Sequence, residues 1–275
     1  MVIQNSRLYG AVREFMGRDY SLDVAELNQS IRKSGSPSAM LRPEMPPIPF
    51  TGNPWTKQVG NCTVLFSINP KWHEPGSKQF EKEFRKSIRL VDKYRSGVDS
   101  AFDEYLKLRT DYFSSGMAYG GHFTYLENRF RENWYNVTDV WSSHVLCMDC
   151  LPWFSDNTNN IDNENLRDAY SANDALLAYK RIIEEVISMT CPSRIQINGK
   201  TTRVAFEEIF GDNPMQRFPK WGMHAGEVNI AGMKIPVLAH NFGLSLIHIS
   251  EPTRPERMGA CGVCLKKKQR GGGGG

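Results

Sequence analysis

The stretch CTVLFSINPKWHEPG, residues 62–76, decides the fold of this chain. It begins with an apolar run, residues 64–66, and breaks at Asn69-Pro70. A short apolar run that is closed by turn residues is typical of a fully buried strand. Proline cannot continue a strand ladder, and it keeps the residue before it out of the helical region. Because open α/β sheets bind ligands where buried strands end in such loops, this stretch is the first candidate site.

The C-terminal segment, residues 244–275, differs from the rest of the chain. It begins LSLIHISEPTR and ends in five glycines. The segment resembles a translated sequencing adapter, so we expect it to be non-native and disordered, and the native chain to be cut near Gly243. It holds six of the 34 Lys and Arg residues and two of the 30 Asp and Glu residues, which leaves 28 of each elsewhere. The remainder is formally neutral, and its charge gives no sign of a nucleic-acid partner.

The cysteines and the apolar runs exclude several classes of protein. Cys147 and Cys150 lie in an apolar, strand-like run, where side chains three residues apart point to opposite faces, so we predict no zinc site. Four cysteines remain outside the C-terminal segment, and without a secretory signal we interpret them as reduced, mostly buried thiols. No apolar run is long enough to span a membrane. We therefore expect a cytoplasmic monomer with no metal and no other cofactor.

Four apolar runs predict the strands of the main domain. They lie at residues 63–68, 145–148, 194–198 and 235–239. Helical patterns lie between them, and strands that alternate with helices indicate an α/β fold with a parallel sheet that is covered on both faces. We place this domain at residues 60–243. Residues 1–59 are predicted to form a helix that Ser21 can cap and a proline-rich, extended segment.

The longest helical pattern covers residues 77–113 and is predicted to break at Ser96-Gly97. Apolar residues recur three and four apart on one side, and lysines and arginines crowd the other side. We interpret the basic side as a solvated helix face, with a track for DNA as the alternative. Residues 114–130 and 211–225 are predicted to be loops. In the first of them Tyr119, Phe123 and Tyr125 could stack on a base or could pack the loop onto the body of the domain.

Each predicted strand ends in polar or aromatic residues. In strand order these are Asn69; Asp149, Trp153 and Ser155; Asn198; and His240 and Asn241. Because parallel strands end at one edge of a sheet, we expect these residues to lie close together. Any one of them alone has an ordinary structural explanation, so the grouping is the evidence for a site.

The order of these landmarks resembles the uracil-DNA glycosylase superfamily, most closely its mismatch-specific (G:T/U) type. VLFSINP, residues 64–70, is similar to the family's apolar strand that ends in Gly-Ile-Asn-Pro-Gly. Pro75-Gly76 and Phe80 follow, then the strand-to-helix turn at residues 197–200, and then a last strand that leads to His240. The resemblance covers roughly residues 60–243.

The resemblance implies a three-layer α/β/α sandwich with a small, mainly parallel, four-stranded sheet. It also implies hydrolysis of the N-glycosidic bond of a uracil-type or mismatched base in DNA. Asn69 would hold the attacking water, Phe80 would stack on the extruded base, and His240 would stabilise the departing base anion. The other substrate-binding residues that we carry over are Ser67, Ile68, Pro70, Trp153, Ser155, Asn198 and Asn241.

Two other functions stay open at this point. A non-catalytic member of the same fold would bind a nucleotide or nucleic acid, with an affinity that falls steeply as salt rises. An unrelated small-molecule hydrolase would use the same sheet edge and would act without DNA.

Overall fold

The computed structural model describes residues 6–31, 40–73, 75–78, 80–115, 120–155, 165–211, 215–219 and 222–240. Within these ranges the chain forms an α/β fold with nine α-helices and one six-stranded sheet. The strands are β1 (Thr63–Ser67), β2 (Val145–Asp149), β3 (Arg194–Asn198), β4 (Gln216–Phe218), β5 (Met223–Ile230) and β6 (Met233–His240). Asn241 and the C-terminal segment lie outside the described residues.

Two helices precede β1, and the other seven lie in the connections between strands. In chain order the helices are α1 (Arg7–Gly17), α2 (Ser21–Ser30), α3 (Arg85–Arg95), α4 (Asp99–Thr110), α5 (Gly120–Phe130), α6 (Val140–Ser143), α7 (Leu166–Ala172), α8 (Asp174–Thr190) and α9 (Lys200–Phe210). One π-helical turn, Phe80–Phe84, precedes α3, and another, Arg131–Tyr135, follows α5. No helix among the described residues has both the length and the apolar character needed to cross a membrane.

The sheet has the strand order β2-β1-β3-β6-β5-β4. The four predicted strands are β2, β1, β3 and β6, and they are parallel to one another. The predicted count of four omits β4 and β5, which extend the sheet on the β6 side by antiparallel pairing. Residues 216–218 and 223–225 are therefore strand, where the sequence predicted a loop. Ala231 and Gly232 join β5 to β6 with positive φ angles of 53° and 76°, as a two-residue hairpin turn requires.

Apolar side chains are buried on both faces of β1. Val64 and Phe66 belong to the main core, which also holds apolar residues of α1, α8 and α9. Leu65 belongs to a second cluster with Leu126 and Trp141. Because successive side chains of a strand point to opposite faces, the two clusters cover opposite faces of this strand.

The N-terminal helices pack into the same main core as the sheet. The ring of Phe15 in α1 lies 6.1 Å from the ring of Trp153 and 5.9 Å from that of Tyr179. The boundary that we placed at residue 59 therefore does not divide the core. Ser21 begins α2 without capping it, because its hydroxyl donates to Asp19 Oδ1 at 2.6 Å.

Two helix predictions had different outcomes. The break at Ser96-Gly97 is confirmed, since α3 ends at Arg95 and Gly97 has a φ of 97°, which side chains other than glycine rarely adopt. The loop predicted at residues 114–130 is wrong over residues 120–130, which form α5. Leu126 and Phe130 anchor this helix in the second cluster, so tertiary packing outweighs the local glycine content.

Candidate functional site

The parallel strands bring their last residues to one edge of the sheet. Ser67 of β1 pairs with Asp149 of β2, and Asn198 of β3 pairs with His240 of β6. Since β1 lies between β2 and β3, these four residues follow one another across the edge. The shared edge places groups from distant parts of the sequence within one region.

The loops after β1 and β2 continue the strand pairing beyond the sheet. The N–H groups of Cys150 and Leu151 donate to the carbonyls of Ser67 and Ile68, at 2.8 and 2.9 Å. This ladder holds the loop after β1 against the loop after β2. Their relative position is therefore fixed by backbone hydrogen bonds.

Asn69 lies between these two loops and is 6% exposed. Its Nδ2 donates to the carbonyl of Trp153 at 3.0 Å and to Ser155 Oγ at 2.8 Å, with a longer contact of 3.3 Å to the carbonyl of Pro70. A carbonyl oxygen can only accept, so these contacts orient Nδ2 rather than Oδ1 toward them. Oδ1 is buried and has no hydrogen-bond partner among the described residues. A buried acceptor of this kind suits a donor from water or substrate.

Ser155 is the residue that joins the two loops most closely, and it is fully buried. Its N–H donates to the carbonyl of Pro70 at 3.2 Å, and its carbonyl accepts from the N–H of Trp72 at 3.0 Å. Its hydroxyl is then left to accept from Asn69. All three polar groups of Ser155 thus position the loop that carries Asn69.

His240 stands at the end of β6 and is 5% exposed. Burial lowers the pKa of its imidazole to about 4, so the ring is neutral at pH 7. A neutral imidazole has one N–H donor and one acceptor nitrogen. The carbonyl of His240 accepts from the N–H of Gly199 at 3.1 Å, which ties the end of β6 to the start of α9.

Asp149 belongs to the predicted grouping at this edge, although it is not among the catalytic or substrate-binding residues carried over from the resemblance. Burial raises the pKa of its carboxyl to about 7. The hydroxyl of Tyr179 donates to its backbone carbonyl at 2.8 Å, which supports the end of β2 from α8. Its position at a strand end was visible in the sequence, whereas its burial depends on packing that the sequence does not show.

Phe80 lies in an aromatic cluster that borders the loop of Ser155. Its ring meets those of Trp72 and Phe84 edge-on, at 5.7 and 5.9 Å between centroids, and it is 9% exposed. Phe84 in turn lies 4.6 Å from the ring of Phe154, next to Ser155. Trp72, which we did not predict to take part in the site, therefore packs directly against Phe80.

Neither a protein-family model nor a curated protein sequence matches this chain. The evidence for a function therefore comes from the geometry of the sheet edge and from the sequence of residues 64–70. Among the residues that the structure describes, no three His, Cys, Asp or Glu side chains form a group that could hold a metal ion.

The remaining predicted substrate-binding residues differ in whether a side chain or only a backbone carbonyl lies at the edge. The ring of Trp153 is 1% exposed and packs in the main core, so only its carbonyl reaches the site. Ile68 is also part of that core. Asn198 is half-buried, and its carbonyl accepts from Thr202 Oγ1 at 2.7 Å at the start of α9. Asn241 lies beyond the described residues.

Proposed function

We propose that this protein is a glycosylase-like hydrolase that cleaves the N-glycosidic bond of a uracil-type or mismatched base in DNA. The observation that carries the proposal is Asn69, a buried amide whose Nδ2 donates to the Trp153 carbonyl and the Ser155 hydroxyl and whose buried Oδ1 has no hydrogen-bond partner among the described residues. This arrangement suits the binding of a single water molecule in a fixed orientation. The resemblance of residues 64–70 to the family's strand and loop supports the same role.

The proposed reaction is a hydrolysis at C1′ of the deoxyribose. The C1′–N bond breaks and its electron pair leaves with the base, so the sugar takes on oxocarbenium character. A water that donates one hydrogen to Asn69 Oδ1 then forms the new bond to C1′, and its second proton passes to solvent. An amide is a weak base, which is sufficient where departure of the leaving group makes most of the barrier.

His240 would assist the departure of the base. Its neutral imidazole can donate a hydrogen bond to the base as negative charge develops on it, and donors placed where charge develops give a large part of enzymatic rate enhancement. The low pKa of about 4 keeps this ring in one protonation state across the neutral range. Phe80 would supply the stacking surface, and the extruded base would rest beside the aromatic cluster.

We also propose that the four parallel strands form the middle layer of a three-layer fold. Apolar clusters on both faces of β1 support a three-layer α/β/α arrangement around the four parallel strands. In such an arrangement the carboxyl edge of the sheet is the place where an extruded base would enter.

Asn69→Ala tests the proposal directly. Oligonucleotides that contain uracil or a G:T mismatch are incubated with an excess of protein, and abasic product is measured after alkaline cleavage. We expect Asn69→Ala to lower the single-turnover rate about 100-fold while DNA affinity stays within a factor of about three. Asn229→Ala, at an exposed position of β5, is the matched control and should keep the wild-type rate.

Two results would contradict the proposal. One is an unchanged rate in Asn69→Ala, and the other is the absence of abasic product from every deaminated or mismatched base with the wild-type chain. DNA binding without product would favour a non-catalytic protein of the same fold.

A further inference from the structure

The exposed side of α3 carries a row of positive charges. Arg85, Arg89 and Lys93 follow one another at four-residue intervals, so they rise by about 6 Å per step along one side of the helix. Arg85 forms an ion pair with Glu81 at 2.6 Å. Arg89 and Lys93 form no ion pair within the described part of the chain. We call these three residues the basic row.

A groove runs beside the basic row. It has a volume of about 660 Å³, and besides the basic row it is lined by Phe80, Ile88, Asp92 and Ser96. Asp92 places one negative charge among the three positive charges of this lining. At one end the groove reaches Phe80, which belongs to the aromatic cluster next to Ser155. The groove therefore shares Phe80 with the buried aromatic cluster that packs beside Ser155.

The charge of the basic row is a local feature. Outside the C-terminal segment the chain has equal numbers of acidic and basic residues. Cations that gather on one helix face attract a polyanion and release its condensed counterions. A regular row of such cations along a groove fits a regular row of anions, as in a nucleic-acid backbone.

We propose that the basic row binds the phosphate backbone of DNA beside the candidate active site. The choice of DNA as the polyanion rests on the proposed function, whereas the position of the contact rests on the basic row and its groove. Contacts of this kind hold the duplex in register without reading its sequence. The affinity should therefore depend strongly on salt and little on the bases.

The test measures DNA binding without any reaction. A fluorescent 30-base-pair duplex that contains no deaminated or mismatched base is titrated with the full chain at several salt concentrations between 50 and 300 mM. The variant is Arg89→Gln/Lys93→Gln. Its matched control is Arg181→Gln/Lys234→Gln, in which two exposed cations of α8 and β6 are neutralised in the same way.

Loss of two phosphate contacts should reduce the slope of log K against log salt by about 1.8. If the affinity extrapolated to 1 M salt is unchanged, this corresponds to about 60-fold weaker binding at 0.1 M salt. The control variant should bind as the wild type does. Because the replaced side chains are exposed, both variants should unfold at the wild-type temperature.

Three results would overturn the proposal: an unchanged slope in the Arg89→Gln/Lys93→Gln variant, an equal loss in the control variant, or tighter binding of RNA than of DNA with the same sequence. The two proposals fail separately. A wild-type chain that binds DNA through the basic row and forms no abasic product would contradict the glycosylase proposal alone. Excision that persists with an unchanged salt slope in the variant would contradict the basic row alone.

Discussion

Replacement of His240 by glutamine should change how the stability of the protein depends on pH. The imidazole is buried at the end of β6, and its pKa falls from the ordinary 6.5 to about 4 on folding. Because the folded pKa is the lower one, the unfolded chain binds more protons between these two values. The stability associated with the neutral ring is therefore fully present above pH 6.5 and is lost as pH falls toward 4. Glutamine does not titrate, so the variant lacks this loss.

The size of the effect follows from the two pKa values. On going from pH 7.5 to pH 4.5, protonation of this group shifts the folding equilibrium toward the unfolded state by a factor of about 70, which equals about 2.5 kcal/mol. The wild type should lose this much more free energy of unfolding than His240→Gln over that interval. Other titrating groups contribute to both proteins and largely cancel in the comparison.

Urea unfolding at 25 °C, followed by tryptophan fluorescence at the two pH values, gives the four free energies that are needed. Asp149→Asn is a control for which the expected change in stability between the two pH values has the opposite sign. The carboxyl of Asp149 has a pKa raised from 3.8 to about 7, so its contribution is present below pH 3.8 and is lost as pH rises toward 7. The wild type should therefore gain stability relative to Asp149→Asn on going from pH 7.5 to pH 4.5. A difference below about 0.5 kcal/mol between wild type and His240→Gln would refute the buried, neutral state of this ring.

Further substitutions test separate parts of the structure. Ser155→Ala removes an acceptor of the site amide, and we expect about 1 kcal/mol lower stability in urea unfolding and a slower single-turnover excision. Arg109→Met breaks a buried ion pair with Glu83, in which the charged atoms lie 3.5 Å apart, and should lower the free energy of unfolding by about 3 kcal/mol. Adding Glu83→Gln should recover part of that loss. If nothing is recovered, the two side chains are not paired. Gly97→Ala should lower the free energy of unfolding in urea by about 1–3 kcal/mol because φ is 97° there. Gly10→Ala, on the open side of α1, should raise it by about 0.5–1 kcal/mol.

The parallel strands were predictable because each is a short apolar run that turn residues close. β1 and β3 end within a residue of the predicted positions. β5 escaped prediction because Gly226 and Glu227 interrupt its apolar pattern, and it is stabilised by pairing with β6 along its whole length. Pairing with a neighbour contributes backbone hydrogen bonds that do not depend on the identity of the side chains.

The candidate site was predictable in its location and not in its contacts. Asn69 and Ser155 could be selected because each follows a strand at the same edge. The role of Trp153 could not, since its side chain packs in the core and its carbonyl faces the site. Any residue at that position would offer the same carbonyl, so the sequence carries no signal for this contact.

The arrangement around Asn69 explains why an amide, and not a carboxylate, suits this position. The side chain must donate toward the carbonyl of Trp153 and the hydroxyl of Ser155, and it must accept on its other side. An ionised aspartate would be a stronger base for water, but it has no donor and would set its negative charge against the Trp153 carbonyl. An amide carries a donor and an acceptor on two sides of one short, rigid group and is neutral at every pH. The weak basicity of this amide thus follows from how the two loops hold it, and under the proposed function it suits a reaction in which the leaving group, rather than the water, needs the greater assistance.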